Sequence, residues 1–189
     1  KEEILFYIGL FLLPSAFSLA VIVLLLSLII SLIGNKINVK DKYNIFFLIA
    51  CLLFFINSLI NFLNIFSINN ISNNASLTLI GLLNWLPQII SFIGFQKYLV
   101  KNINRERAFI ALISGSIPIL FSCISQAFFN WHGPIRTLFG LIVWYQRPID
   151  GLIGVTGLFS NPNYLGAWLN IIWPFSLGIL FFDNNNPIK

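Results

Sequence analysis

Charged side chains with binding chemistry lie in the segment 130–163, which contains His132, Arg136, Arg147 and Asp150. A guanidinium can hold a phosphate through two parallel hydrogen bonds, so the two arginines are candidate ligands for a phosphate or pyrophosphate. The same arginines could instead anchor helix ends to lipid phosphates, and composition alone favours neither hypothesis. His132 is the sole histidine. We expect it to be an ordinary interfacial residue, because one histidine has no partner set for a metal site.

A turn rich in glycine and asparagine ends this segment. Pro162 disfavours helical backbone at Asn161, and Asn163 can cap a helix that begins at residue 164 by accepting hydrogen bonds from backbone amides. Gly157 permits a tight backbone path before the turn. A well-formed turn and helix start therefore accounts for Asn161, Pro162 and Asn163 without any catalytic role.

Long apolar runs must position these residues. Hydrophobic residues make up 58% of the 189 and charged residues 9%, whereas a soluble domain has about 25% charged residues. A helix that crosses a bilayer needs about 20 residues, and runs this long and apolar on all sides exclude the short alternating strands of a barrel. We predict an all-α, polytopic transmembrane helix bundle of about five spans, forming a single membrane domain. The expected spans are 4–34, 44–66, 77–96, 108–129 and 164–182.

The first run contains Pro14, which allows two interpretations. The segment 4–34 is either one long helix kinked at the proline or a short helix, a turn at Pro14 and a full span. The sequence does not decide between them.

The distribution of basic residues predicts how the chain is oriented in the membrane. Seven of the 11 lie in the segments 35–43 and 97–107, which we expect to be loops, and none lies in the loop 67–76. The positive-inside rule places the two basic loops in the cytoplasm and the segments 67–76 and 130–163 outside. The net charge of +5 therefore reflects membrane topology, and we expect no nucleic-acid partner. In a bacterial inner membrane, the outer side would be the periplasm.

Several polar side chains repeat at helical spacing inside the runs. We expect them to face protein, either as hydrogen bonds between helices or as the wall of a polar cavity. We expect both cysteines, Cys51 and Cys123, to be apolar packing residues. The polar sets are Asn57, Asn61 and Asn64; Asn84, Gln88 and Ser91; and Ser122 with Gln126.

The turn before the last run resembles the O-antigen ligase/polymerase family of bacterial envelope proteins. The resemblance rests on Gly157, Phe159, Asn161, Pro162, Asn163 and Gly166, directly before an apolar span. The upstream pair Trp144–Tyr145 and the stretch 147–151 resemble cyanobacterial members. Related proteins with this motif include some once described as bicarbonate transporters.

This resemblance implies glycosyl transfer without a metal or cofactor, from a glycan on undecaprenyl pyrophosphate to an acceptor at the periplasmic face. Members often carry an arginine shortly before the motif glycine, where Gly154 stands here. The candidate pyrophosphate ligands are therefore Arg147 and then Arg136, with Asp150 orienting Arg147 through an ion pair. The residues Gly157, Asn161, Pro162 and Asn163 would fix the loop.

The chain resembles only the N-terminal half of such proteins. We expect it to be an N-terminal fragment that is inactive alone, because the proposed catalytic histidine of the family lies in the other half. No catalytic residue is identified here, and the expected partners are membrane lipid and the lipid-linked glycan. The alternative function is a membrane transporter for a small, bicarbonate-like anion or for a lipid-linked glycan. The absence of ionisable residues deep in a span disfavours transport.

Overall fold

The computed structural model describes the backbone of residues 2–34, 42–67, 72–149 and 154–181, and the side chains of residues 3–34, 43–60, 80–149 and 154–178. Within these residues the chain is all-α apart from one small hairpin. The helices are α1 (Glu2–Leu12), α2 (Phe17–Gly34), α3 (Lys42–Ser67), α4 (Ser72–Leu99), α5 (Asn102–Gly115), α6 (Ile117–Phe129) and α7 (Pro162–Phe181). The hairpin consists of β1 (Ile135–Thr137), a short 3-10 turn (Leu138–Gly140) and β2 (Ile142–Trp144).

Three stretches of the described residues are long and apolar enough to cross a membrane. They are Phe17–Gly34, Tyr43–Ile60 and Asn102–Phe129. Such lengths match the hydrocarbon thickness of a bilayer. These helices therefore agree with the membrane character that the sequence predicts.

The first apolar run is two helices joined by a turn at Pro14. The amides of Ser15 and Ala16 both donate to Leu12 O, which closes α1. A β-carbon on Gly9 would lie 2.6 Å from the side chain of Leu24, so α1 folds back closely on α2. Of the two interpretations left open by the sequence, the turn is the one observed.

The second basic segment is not a loop, which corrects the sequence interpretation. Helix α4 continues to Leu99 and α5 begins at Asn102, so only Val100 and Lys101 separate them. Lysine, arginine and glutamate are good helix formers, and their charge does not interrupt a helix. The segment 35–41 and residues 68–71 lie outside the described residues.

The expected span 108–129 contains a break. Ser116 separates α5 from α6, and Pro118 stands in the first turn of α6, where a missing amide does no harm. The Ser116 hydroxyl donates to Leu112 O and accepts a hydrogen bond from Trp168 Nε1 of α7. The junction is therefore fixed to α7 by a side-chain hydrogen bond.

The chain divides into two compact units, Lys1–Ser27 with Tyr98–Lys189, and Leu28–Lys97. In the second unit, the side-chain amides of Asn44 and Gln96 form two reciprocal hydrogen bonds of 3.0 and 2.7 Å between α3 and α4. Ser31 Oγ donates to Gly94 O. Hydrogen bonds made by polar side chains, in addition to apolar contacts, thus join the helices of this unit.

In the first unit, Gly115 permits α1 and α5 to approach closely. A β-carbon at Gly115 would overlap the backbone carbonyl of Phe11. Nearby, the Phe6 and Tyr98 rings stack, and Tyr98 Oη donates to Ser27 O at 2.9 Å. A smaller core forms where α6 meets α7, around Ile119, Leu158 and Leu165.

We predict that Gly115→Ala lowers the free energy of unfolding by about 1–3 kcal/mol, because the added methyl group meets backbone that cannot rotate away. The control is Gly166→Ala in α7, where nothing lies within 4 Å of the added carbon. That change should be neutral or slightly stabilising, since alanine favours helix. Thermal unfolding in detergent measures both. Equal stability of the two variants would contradict the close packing of α1 on α5.

Candidate functional site

The polar pair in α6 is buried, as the sequence predicted. Ser122 is 2% exposed and Gln126 is 1% exposed. Their spacing of four residues puts both on one helix face. This face contacts the segment that follows α6, so the pair is available to shape that segment.

The side chain of Gln126 forms four hydrogen bonds. Its Nε2 donates to Arg147 O and to Thr156 Oγ1, each at 3.0 Å. Its Oε1 accepts from the amides of Thr156 at 3.2 Å and Gly157 at 2.8 Å. A neutral amide can both donate and accept in a buried position without the cost of a charge. One side chain therefore binds two separate parts of the loop.

Thr156 also holds the backbone of Arg147 in place. It is fully buried, and its Oγ1 also accepts a hydrogen bond from Arg147 N at 3.1 Å. Both backbone polar groups of Arg147 are thus held, one by Thr156 and the other by Gln126. Asp150 lies outside the described residues, so its ion pair with Arg147 stays a prediction.

Gln146 is a second buried amide beside Arg147. It is 2% exposed, its Nε2 donates to Ser122 Oγ at 2.7 Å, and its backbone oxygen accepts from Gly133 N at 2.8 Å. Its φ of 38° lies in the left-handed region, which is unfavourable for a residue with a side chain. Its Oε1 is buried and accepts no hydrogen bond from any described residue. Gln146 therefore holds a strained backbone directly before Arg147.

The two candidate arginines are exposed. Arg136 stands in β1 opposite Val143 of β2, and Arg147 follows the buried Gln146. Within the described part of the chain neither guanidinium pairs with a carboxylate. Both are therefore cations presented outward from a backbone that is fixed in place.

A cleft of about 460 Å³ runs along the end of α6. It is mostly apolar, with His132 and Asn130 at its polar end. His132 Nδ1 lies 2.9 Å from Asn130 O. Gly133 N donates to Gln146 O. His132 directly precedes Gly133 and Arg147 directly follows Gln146, so the two residues flank this hydrogen bond. The cleft is lined by Phe121, Ser125, Phe129, Asn130, Trp131 and His132.

The motif residues build the entry into α7. The N-cap is Asn161 rather than Asn163, which corrects the sequence interpretation: Asn161 O accepts from Tyr164 N and its Oδ1 accepts from Asn163 N. Pro162 begins the helix, where a proline needs no hydrogen-bond acceptor. Gly157 has φ of 57°, and a β-carbon there would lie 3.1 Å from Cys123 Sγ. These residues shape the chain, as expected of loop-positioning residues.

The hairpin replaces an expected helix. The apolar stretch 138–145 is too short to cross a membrane and by its sequence predicts an interfacial or re-entrant helix. In the structure, Ile135 pairs instead with Trp144 and Thr137 with Ile142 in an antiparallel ladder. Branched residues at 135, 137, 142 and 143 favour extended backbone, and Gly140 takes the φ of 87° that the turn requires. Trp144 Nε1 donates to Ser15 O at 2.8 Å, which fixes β2 to the turn after α1.

The other polar sets differ from expectation. Asn57, Asn84 and Gln88 are exposed and form no hydrogen bond with any residue that the structure describes. The side chains of Asn61 and Asn64 lie outside the described residues. Of these two sets, the three residues Asn57, Asn84 and Gln88 therefore do not face protein as expected, whereas Ser91 is half-buried.

Sequence reasoning missed the partners of the buried amides. The pairs Gln126–Thr156 and Gln146–Ser122 join residues 30 and 24 positions apart. The only local signal was the pair Ser122 and Gln126 on one apolar helix, since a buried amide must find partners. That signal indicates that partners exist but not which residues supply them.

No family model, curated protein or solved structure matches this chain.

We predict that Gln126→Leu lowers the free energy of unfolding by about 2–4 kcal/mol, because it leaves buried amides of Thr156 and Gly157 without an acceptor. Gln88→Leu is the matched control: this glutamine is exposed, and the change should have little effect. Chemical unfolding in detergent compares the two. If Gln126→Leu were as stable as the control, the hydrogen-bond network could not be what holds the loop.

Proposed function

We propose that this chain forms part of an O-antigen ligase/polymerase-like membrane protein, which transfers a glycan from undecaprenyl pyrophosphate at the periplasmic face. The observation that carries the proposal is the fixed presentation of Arg147. Its backbone is held at both polar groups by a buried network, while its guanidinium is exposed and has no carboxylate partner among the described residues. A guanidinium carried on a backbone that is fixed in this way suits a phosphate ligand.

The membrane arrangement belongs to the same proposal. The helices form a polytopic bundle of about five spans in the inner membrane, with basic residues at 35–43 and 97–107 on the cytoplasmic side. The segment 130–163 then faces the periplasm. The exposed rings of Trp131 and Tyr145 support a location of this segment at the headgroup level, whichever side of the membrane it is on.

Arg147 and Arg136 act by charge in this proposal. As the glycosyl bond breaks, negative charge develops on the departing pyrophosphate, and a fixed cation stabilises that charge. Asp150 orients Arg147 in this proposal. No described residue is assigned to activation of the acceptor.

We predict that Arg147→Ala in the full-length protein reduces glycan transfer on the order of 10²-fold, as expected when one charge-stabilising group is lost. Arg136→Ala should give a smaller loss, and Arg147→Lys should restore part of the activity because the charge remains. Transfer is measured with a purified lipid-linked glycan and its acceptor in vesicles.

The matched control for this experiment is Arg105→Ala, an exposed arginine in α5. Unchanged transfer in both the Arg147 and Arg136 variants would overturn the assignment. Accumulation of a small anion or a lipid-linked glycan by vesicles without any acceptor would favour the transport hypothesis instead.

The orientation predicts which side each segment can be labelled from. In a background with Cys51→Ala and Cys123→Ala, Ile149→Cys, at an exposed position of the segment 130–163, should react with a membrane-impermeant maleimide in intact cells with a permeabilised outer membrane. Lys101→Cys should react only after the inner membrane is opened. The reverse pattern would refute the proposed topology.

A further inference from the structure

The turn of the β hairpin exposes bulky apolar side chains. Leu138 is 56% exposed, Leu141 is 44% exposed, and Phe139 at 109% exceeds the exposure of an extended reference peptide. We call residues 138–141 the hairpin tip. Exposed aliphatic and aromatic groups concentrated at one tip mark an interaction surface.

The backbone of the tip is also unfavourable for these residues. Leu138 has φ of 50° and Phe139 has φ of 55°, both in the left-handed region. Turns of this kind are usually built from glycine, asparagine or aspartate. Here leucine and phenylalanine occupy the strained positions. Neither water nor the hairpin itself stabilises their side chains there, whereas a surrounding apolar phase would stabilise them.

The position of the hairpin along the chain indicates that this apolar phase is the lipid bilayer. The stretch Asn102–Phe129 is long and apolar enough to cross a membrane, and only five residues separate its end from β1 at Ile135. Phe128 and Phe129, at the end of this stretch, are themselves exposed. If the α5–α6 stretch crosses a membrane, a hairpin tethered this closely to its end lies at the bilayer surface.

The flanking residues have the chemistry of the headgroup layer. Trp131 and Tyr145 are about half exposed, and Arg136 is exposed two residues before the tip. Aromatic rings with a polar edge and arginine both settle between hydrocarbon and water. The order along the hairpin is thus polar and aromatic at its base and purely apolar at its tip.

We propose that the hairpin tip inserts into the lipid bilayer from its surface, with Leu138, Phe139 and Leu141 among the outer parts of the acyl chains. The partner is the lipid itself, and the insertion places Arg136 at the level of the lipid phosphates. This inference rests only on membrane residence of the α5–α6 stretch, and it is independent of glycan transfer.

The test uses the full chain, with Cys51→Ala and Cys123→Ala, in vesicles of phosphatidylcholine and phosphatidylglycerol. Spin labels are attached to Phe139→Cys and, in a separate variant, to Leu141→Cys, which reports on the tip if the first substitution disturbs it. Lys101→Cys, in the exposed turn between α4 and α5, is the control. Collision rates with oxygen, which concentrates in hydrocarbon, and with a water-soluble nickel chelate give the depth of each label.

We expect the ratio of oxygen to nickel collisions to be several-fold higher at both tip positions than at Lys101. Nickel access at the tip equal to that at Lys101 would overturn the proposal. Protection of the tip from both reagents, with magnetic coupling between labels on two copies, would also overturn it, because a second chain would then cover the tip. Neither result depends on whether Arg147 or Arg136 contributes to transfer.

Discussion

The four hydrogen bonds of the Gln126 side chain are the interaction on which the loop between α6 and α7 depends. They connect Arg147 with Thr156 and Gly157, so that two distant parts of the loop share one buried support. A carboxylate of the same length could not donate to Arg147 O, and burial of its charge would be costly. An apolar side chain would leave the amides of Thr156 and Gly157 unsatisfied. Only a neutral amide meets the requirements of this position.

This support explains how the loop keeps an unfavourable backbone. Asn130, Leu138, Phe139 and Gln146 all have positive φ, and each such residue costs about 1–3 kcal/mol that the surrounding structure must offset. Asparagine tolerates this conformation, and Asn130 ends α6 as helix C-caps often do. Gln146 is held by Ser122 and Gly133. At the tip, Leu138 O accepts from Leu141 N, but no buried side chain among the described residues supports Leu138 or Phe139, so the strain at the tip needs a different explanation from the strain at the base.

The sequence predicted the helices well because long apolar runs leave the backbone little alternative. At Pro14 the sequence left a kinked helix and a turn equally open. The last helix was expected to begin at residue 164 after a cap at Asn163, whereas it begins at Pro162 with Asn161 as the capping residue. The hairpin was missed because a short apolar run fits a helix or two strands equally well, and the pairing of Ile135 with Trp144 is not visible in local periodicity. The site was predicted only in part: the arginines could be chosen by charge, but the buried amides that position Arg147 act across 21 and 30 residues.

The way in which Arg147 is held bears on what it binds. An arginine that only anchors a protein to lipid phosphates works on a flexible chain, because lipid headgroups diffuse to meet it. Fixing its backbone at both polar groups adds nothing to such anchoring. It does matter for a ligand that must be held in one orientation, since binding to a preorganised site avoids the entropy cost of ordering the loop. Arg136, on the strand that leads to an apolar tip, fits lipid anchoring better. The resemblance ranked Arg147 ahead of Arg136, and within the proposed function the structure gives a reason for that order: the fixed backbone of Arg147 favours a specific phosphate ligand, and the place of Arg136 beside an apolar tip favours the membrane surface.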